Sequence, residues 1–289
     1  MNIQLECIPC SINSYLRLVK AGVIPEALQE PMLRRLLGLL STIEYNQSPP
    51  IIGRKMHRLL REFLQNPDPY RQIKERYNRM MLELYPDFKN LVKKSENPID
   101  TAMRLAIAGN VIDFGAQYQL DVMDTINQVI GAKLAVDDSA YLHHDLNQAT
   151  SLLYIGDNCG EIVLDKLFLE TIDLPEMYFV VREHPVINDV TIHDAEMTGI
   201  TKIAKVITTG DDAPGAVWES TSKEFKDIFN RADVIISKGQ GNLEGLMDIP
   251  RNNIYFLLVT KCDYIAERVG ARKGEFIVKR GLNSINENH

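Results

Sequence analysis

The chain has 289 residues, 45% of them hydrophobic, and a formal net charge of −7. Its length allows one large or two modest domains with ample core, and an acidic balance without a basic cluster excludes a nucleic-acid binder held by phosphates. No apolar stretch approaches the roughly 20 residues that span a bilayer, no charged n-region leads into an apolar h-region, and four cysteines are too few for a disulfide framework. A cytoplasmic protein that needs no membrane is expected.

The chain opens on Glu6-Cys7-Ile8-Pro9-Cys10. A structural zinc site needs four ligands, and Cys159 and Cys262 lie far along the chain, so this C-x-x-C is at most half a site. It is also consistent with two reduced thiols packing the first helix. Apolar residues at three- and four-residue spacing predict helices over 7–21, 25–41, 53–64 and 69–84, separated by turn clusters such as Asn46-Gln47-Ser48-Pro49-Pro50. We therefore expect a helical domain over 1–98 and an α/β domain over 99–289, with a soft boundary.

Two further helices are predicted, over 100–115 and 121–130. In the first, Asn110 and Asp113 are three residues apart and share a face among apolar neighbours. A buried polar pair must find partners, so it either braces a loop or lines a pocket. His143-His144-Asp145 reads as a solvated turn.

Five apolar runs follow, over 152–155, 177–181, 203–207, 233–237 and 254–260. Runs this continuous predict strands buried on both faces. The expected fold class is α/β: a three-layer α/β/α domain with a mostly parallel sheet, preceded by the helical domain. Each run delivers charged or amide residues just past its end, where open α/β sheets bind ligands. Stability alone does not ask for a polar cluster at one end of every strand; a shared site does.

The first run ends in Gly156-Asp157-Asn158-Cys159-Gly160-Glu161. Asp157 and Asn158 offer oxygen, which suits Mg²⁺ or Mn²⁺, although Asp157 could instead cap the next helix. The second delivers Arg182, Glu183 and then Asn188-Asp189, with Asp194 beyond as a weaker ligand candidate or an N-cap. The fourth ends in Lys238-Gly239-Gln240-Gly241-Asn242. Its glycines keep the loop clear for an anion, and Lys238 would supply a point charge; a solvated lysine is the plainer alternative. Neither a P-loop nor a G-x-G-x-x-G fingerprint is present, which disfavours NAD. Oxygen ligands for a divalent cation beside donors for an anion describe a site for phosphate chemistry.

Five segments in order carry a resemblance: Glu6-Cys7-Ile8-Pro9-Cys10, Ala108-Gly109-Asn110-Val111-Ile112-Asp113, Gly156 to Glu161, Val181-Arg182-Glu183 with Asn188-Asp189-Val190-Thr191, and Lys238 to Glu244. Nearly end to end, the chain resembles the DUF89 family of metal-dependent damage-control phosphatases, in its small prokaryotic branch with an N-terminal Cys pair. The resemblance implies a helical region on an α/β/α domain, and hydrolysis of phosphomonoesters of small metabolites with Mn²⁺, Mg²⁺, Co²⁺ or Ni²⁺. It implies Asp157, Asn158 and Asp189 as metal ligands, Lys238 as a substrate-side lysine, and Asn110 and Asp113 on a helix lining the pocket. Asp157, Asp189 and Lys238 are then the catalytic candidates, with Arg182, Gly239, Gly241 and Asn242 on the substrate side. A small phosphorylated metabolite is the expected partner, and assembly into a homo-oligomer stays open. Two alternatives are an S-adenosylmethionine-dependent methyltransferase, and a non-catalytic metal or redox module built on Cys7 and Cys10.

Overall fold

The computed structural model describes residues 1–110 and 119–281. The first three helices, α1 (Cys7–Lys20), α2 (Glu26–Ser41) and α3 (Pro50–Leu64), bury a core of their own around Tyr15, Met32, Leu36, Met56 and Leu60. Pro50 sits in the first turn of α3, where a missing N–H costs nothing.

The fourth helix departs from expectation. α4 spans Arg71–Lys94 and runs through Pro86, ten residues beyond the predicted end. Its Met81, Leu84, Phe88 and Val92 belong to the core that covers the sheet, and burial of that stripe outweighs the cost of an interior proline. The hydrophobic core therefore crosses residue 98. α5 (Pro98–Gly109) starts with Asn97 accepting the Asp100 amide as N-cap, and α6 (Gln119–Ile130) follows.

The remaining elements are β1 (Val136–Asp137), α7 (Ser139–Leu146), β2 (Ser151–Ile155), α8 (Glu161–Ile172), β3 (Glu176–Val181), α9 (Ile192–Thr198), β4 (Lys205–Thr208), α10 (Lys223–Arg231), β5 (Val234–Lys238), α11 (Gln240–Leu246), β6 (Ile254–Val259), α12 (Asp263–Val269) and β7 (Phe276–Arg280). His143-His144-Asp145 is thus not a turn: it lies in α7, where Asp145 accepts from Tyr255 and Arg280.

Among the described residues, seven strands are ordered β1-β7-β6-β5-β2-β3-β4, all pairs parallel except β6 with β7. β1 and β7 were not anticipated, because a two-residue strand and a short closing one carry no readable period. Side chains alternate between two cores, as a pleated strand demands. Leu152, Tyr154, Phe179 and Ile236 face α4, α5 and α8, whereas Leu153, Ile155, Ile235 and Phe256 face α10 and α12. α8 packs against α4 and α5 and is buried over most of its length. β2 is flanked by β3 on one side and β5 on the other, so the connections reverse direction there and leave a crevice at its carboxyl end.

Candidate active site

Two turns at the β2 crevice are joined by backbone. Cys159 N–H donates to Asn188 O at 2.8 Å and Val190 N–H to Asp157 O at 2.9 Å, giving an isolated antiparallel bridge between Asn158 and Asp189. The β3 end joins the same seam, with Arg182 N–H donating to Val190 O at 2.9 Å. This pairing brings Asp157, Asn158 and Asp189 together across about thirty residues of chain without any help from their side chains. Just before Asp189, Ile187 holds φ at 43°. A β-branched residue in the left-handed region is strained, and the seam that closes on either side of it holds it there.

The side chains form two layers. In the first, Arg182 Nε donates to Asp189 Oδ2 at 2.7 Å, and its Nη2 lies 3.8 Å from Asp157 Oδ1. Arg182 Nη1 is buried and has no partner among the described residues. In the second, the Asn110 and Asn158 amides each donate to both Asp157 Oδ2 (2.9 and 2.7 Å) and Glu161 Oε2 (3.1 and 3.0 Å). Asp157 is thus held by an arginine on one side and two amides on the other. Burial, followed by the Glu161 charge, pushes the Asp157 carboxyl above its ordinary range against Lys261 and Arg182. Burial pushes Asp189 up to about 7 against the pull of Arg182.

Lys238 corrects the sequence reading. It is 0% exposed, and its Nζ donates to Glu161 Oε1 at 2.6 Å, Asp165 Oδ1 at 2.7 Å and Ala106 O at 2.8 Å. An ammonium has three hydrogens, so none is left for a phosphate, and the solvated alternative fails as well. Asn242 is corrected for the same reason. Its Nδ2 donates to Gly156 O and Lys238 O, and its Oδ1 accepts from Arg182 and Ala216 N–H, so it braces three strand ends rather than contacting a ligand. Gly239 N–H is spent on Leu257 O. Its need for glycine is close approach at φ 77°: a Cβ there would lie 1.9 Å from Asp157 Oδ2. At Gly241 a Cβ would meet Pro214 O at 2.2 Å, so both glycines make room for protein rather than for an anion. Asp113 lies outside the described residues.

Three residues of the site were not singled out beforehand. Glu161 and Asp165 are four apart in the buried stretch of α8, among Ile162, Val163, Leu164, Leu167 and Phe168, a spacing that puts both acids on one face; that signal lies in the sequence. Asn78 was not findable from spacing. From α4 its Oδ1 accepts Gly160 N–H at 2.7 Å and its Nδ2 donates to Asp194 Oδ1 at 3.0 Å. Asp194 itself closes a capping box with Thr191 at the start of α9, which settles it as a cap.

The donor chemistry fits a hard divalent cation in kind: buried carboxylates, amides, and a buried Asn110 Oδ1 with no partner among the described residues. Among the described residues no three His, Cys, Asp or Glu side chains converge to hold a metal by themselves, so a site here must recruit an amide oxygen, as Asn158 can supply. Cys7 and Cys10 are free thiols, the first half-buried and the second exposed. Burial pushes the Cys7 thiol up against a hydrogen bond from the Gln4 backbone, and the Glu244 carboxylate adds to the rise. No described helix is long and apolar enough to cross a membrane.

A protein from Pyrococcus horikoshii named a damage-control phosphatase is 36% identical over 290 residues, covering 97% of this chain and 98% of that one. A second so named, from Archaeoglobus fulgidus, is 31% identical over 235 residues, covering 79% and 81%. The crystal structure of a DUF89 family protein from Pyrococcus horikoshii matches the fold with a TM-score of 0.90 at 34% identity, over 97% of this chain and 99% of that one. The family model for the damage-control phosphatase ARMT1-like domain matches residues 3–277, and the chain belongs to that family.

Proposed function

We propose that the protein is a metal-dependent phosphatase that hydrolyses phosphomonoesters of small metabolites, such as sugar phosphates or damaged phosphometabolites. The observation that carries this reading is the backbone seam that sets Asp157, Asn158 and Asp189 side by side at the topological switch point, next to a buried arginine with an unspent donor. The names of its relatives support the hydrolase class.

Asp157, Asn158 and Asp189 would hold the cation, drawn from Mg²⁺, Mn²⁺, Co²⁺ or Ni²⁺. When bound, it supplies charge neutralisation at a phosphoryl oxygen and activation of the attacking group. Arg182 holds Asp189 in place through Nε and offers Nη1 to an equatorial phosphoryl oxygen, where a fixed donor stabilises the charge that builds up. Asn110 and Asn158 keep the Asp157 carboxylate oriented. The surrounding apolar strands exclude bulk water, which strengthens each of these interactions.

The test is phosphate release from a panel of sugar phosphates and p-nitrophenyl phosphate, after chelation and after each metal is restored. Activity should vanish on chelation and return with metal. A folded protein that stays silent with all four metals would refute the reading.

A further inference from the structure

We propose that Lys238 is a positioning residue: with Asp165 and Tyr154 it fixes Glu161 and the end of α5, and through them the two amides that aim Asp157, without touching substrate. The inference rests on the metal-dependent reading of the site.

Four buried side chains make up this support. Lys238 Nζ binds Glu161 Oε1 and Asp165 Oδ1, and the Tyr154 hydroxyl donates to the same Asp165 oxygen at 2.6 Å. Glu161 divides its work: Oε1 goes to the lysine, Oε2 to the amides of Asn110 and Asn158. Those two amides also hold Asp157 Oδ2. The third hydrogen of Lys238 goes to Ala106 O, in the last turn of α5, where carbonyls have no helical partner. A cation at a helix C-terminus is favoured by the helix dipole as well, and Asn110 follows as the C-cap of that helix. One ammonium therefore anchors both routes to Asp157, by way of Glu161 and by way of α5. A lysine that met phosphate would keep an N–H unspent. The Glu161 and Asp165 carboxylates that surround this one repel an anion.

Loss of a residue that supports a metal ligand costs roughly 10–100-fold in metal affinity, whereas loss of a substrate contact raises KM. The experiment measures Mn²⁺ binding by titration calorimetry to the chelator-stripped protein, with phosphate-release kinetics at saturating Mn²⁺ in parallel. The variants are Tyr154→Phe, Asp165→Asn, and Lys238→Met combined with Asp165→Asn, which removes the lysine without leaving a surplus negative charge in the nest. Expected is a Mn²⁺ affinity about tenfold or more weaker in the double variant, with KM for the ester unchanged at saturating metal. A KM raised about tenfold with Mn²⁺ binding intact would overturn the proposal and return Lys238 to the substrate. Should the double variant fail to fold by circular dichroism, the isosteric single changes decide. Weaker Mn²⁺ binding at unchanged melting temperature supports the proposal, and unchanged Mn²⁺ binding in both overturns it. Wild-type protein that neither binds Mn²⁺ nor releases phosphate would instead defeat the metal-dependent reading and this inference with it.

Discussion

Helices α1–α3 and the strand-end turns both meet the sheet through polar groups, but those groups differ in kind. The helical cap is attached by a charged seam: Arg54 pairs with Asp211 at 2.7 Å, Arg58 with Asp212 at 2.6 Å, and Arg61 with Asp212 and Pro185 O. Behind that seam the cap has its own core. The site, by contrast, is held by buried amides, a buried arginine and a buried lysine, all rooted in helices and strands that share the sheet's cores. Each group there has several partners, so its geometry is over-determined, as preorganised catalysis requires. The cap's arginines lie at its rim, Arg58 most exposed, over the buried carboxylates of Asp211 and Asp212. Polar groups thus give orientation in one region and attachment in the other.

The largest effect expected from breaking this contrast is in the site. Asp157→Ala should lower kcat/KM by roughly a thousandfold, several kcal/mol of lost charge stabilisation, while the fold survives because the carboxylate's neighbours include Glu161. Asp189→Ala should lose activity to the same degree and also lose stability, since it strands the buried Arg182 guanidinium that it pairs with at 2.7 Å. Equal melting temperatures for the two variants would show that the arginine is not held as described.

Gly239→Ala comes next. Its Cβ would sit 1.9 Å from Asp157 Oδ2 at a backbone φ of 77°, so we expect about 1–3 kcal/mol of destabilisation and a displaced Asp157. Wild-type activity in a folded Gly239→Ala protein would refute the close approach.

Acid should weaken the cap. His57, buried in α3, has its pKa lowered from 6.5 to about 3 by burial and then by Arg61. The unfolded chain then binds the proton first. Its stabilising contribution is complete above pH 6.5 and declines as pH falls towards 3. Burial raises the Asp212 carboxyl, but hydrogen bonds from Arg58 and Arg61 outweigh this and leave it at about 2, below 3.8. Its contribution is complete above pH 3.8 and is lost as pH falls through about 2. Thermal unfolding followed from pH 7 to pH 2 should show both slopes, and His57→Gln should flatten the upper one. The smallest effect is that of Arg58→Ala. Its side chain is 56% exposed, so losing the pair should cost about 0.2–1 kcal/mol by thermal melt and leave phosphatase kinetics unchanged.

The contrast also explains which residues could be read from the sequence. Asp157, Asn158 and Asp189 were legible because each follows an apolar run, and a run buried on both faces must deliver its polar residues at its ends. Lys238 was legible as a strand-end residue but not as a paired one. Nothing in Ser237-Lys238-Gly239 shows that Glu161 and Asp165, more than seventy residues earlier, turn the same helix face towards it. Asn242 misled for a related reason: an amide in a glycine-rich turn resembles a ligand contact until its four hydrogen bonds are all found within the protein. The helix through Pro86 escaped because local preference argues against it and only the buried stripe of Leu84, Phe88 and Val92 argues for it.

By itself the sequence determined what local periodicity and strand-end chemistry can determine: a helical start, a largely parallel sheet, polar clusters at its carboxyl edge and the family to which five ordered segments point. Only the tertiary structure decided which charges are spent and on whom. Pairings such as Lys238 with Glu161, Arg182 with Asn242 and Asn78 with Gly160 join residues far apart in the chain. They exist because burial in a low-dielectric interior compels every polar group to find a partner, and the fold alone determines which partners lie within reach.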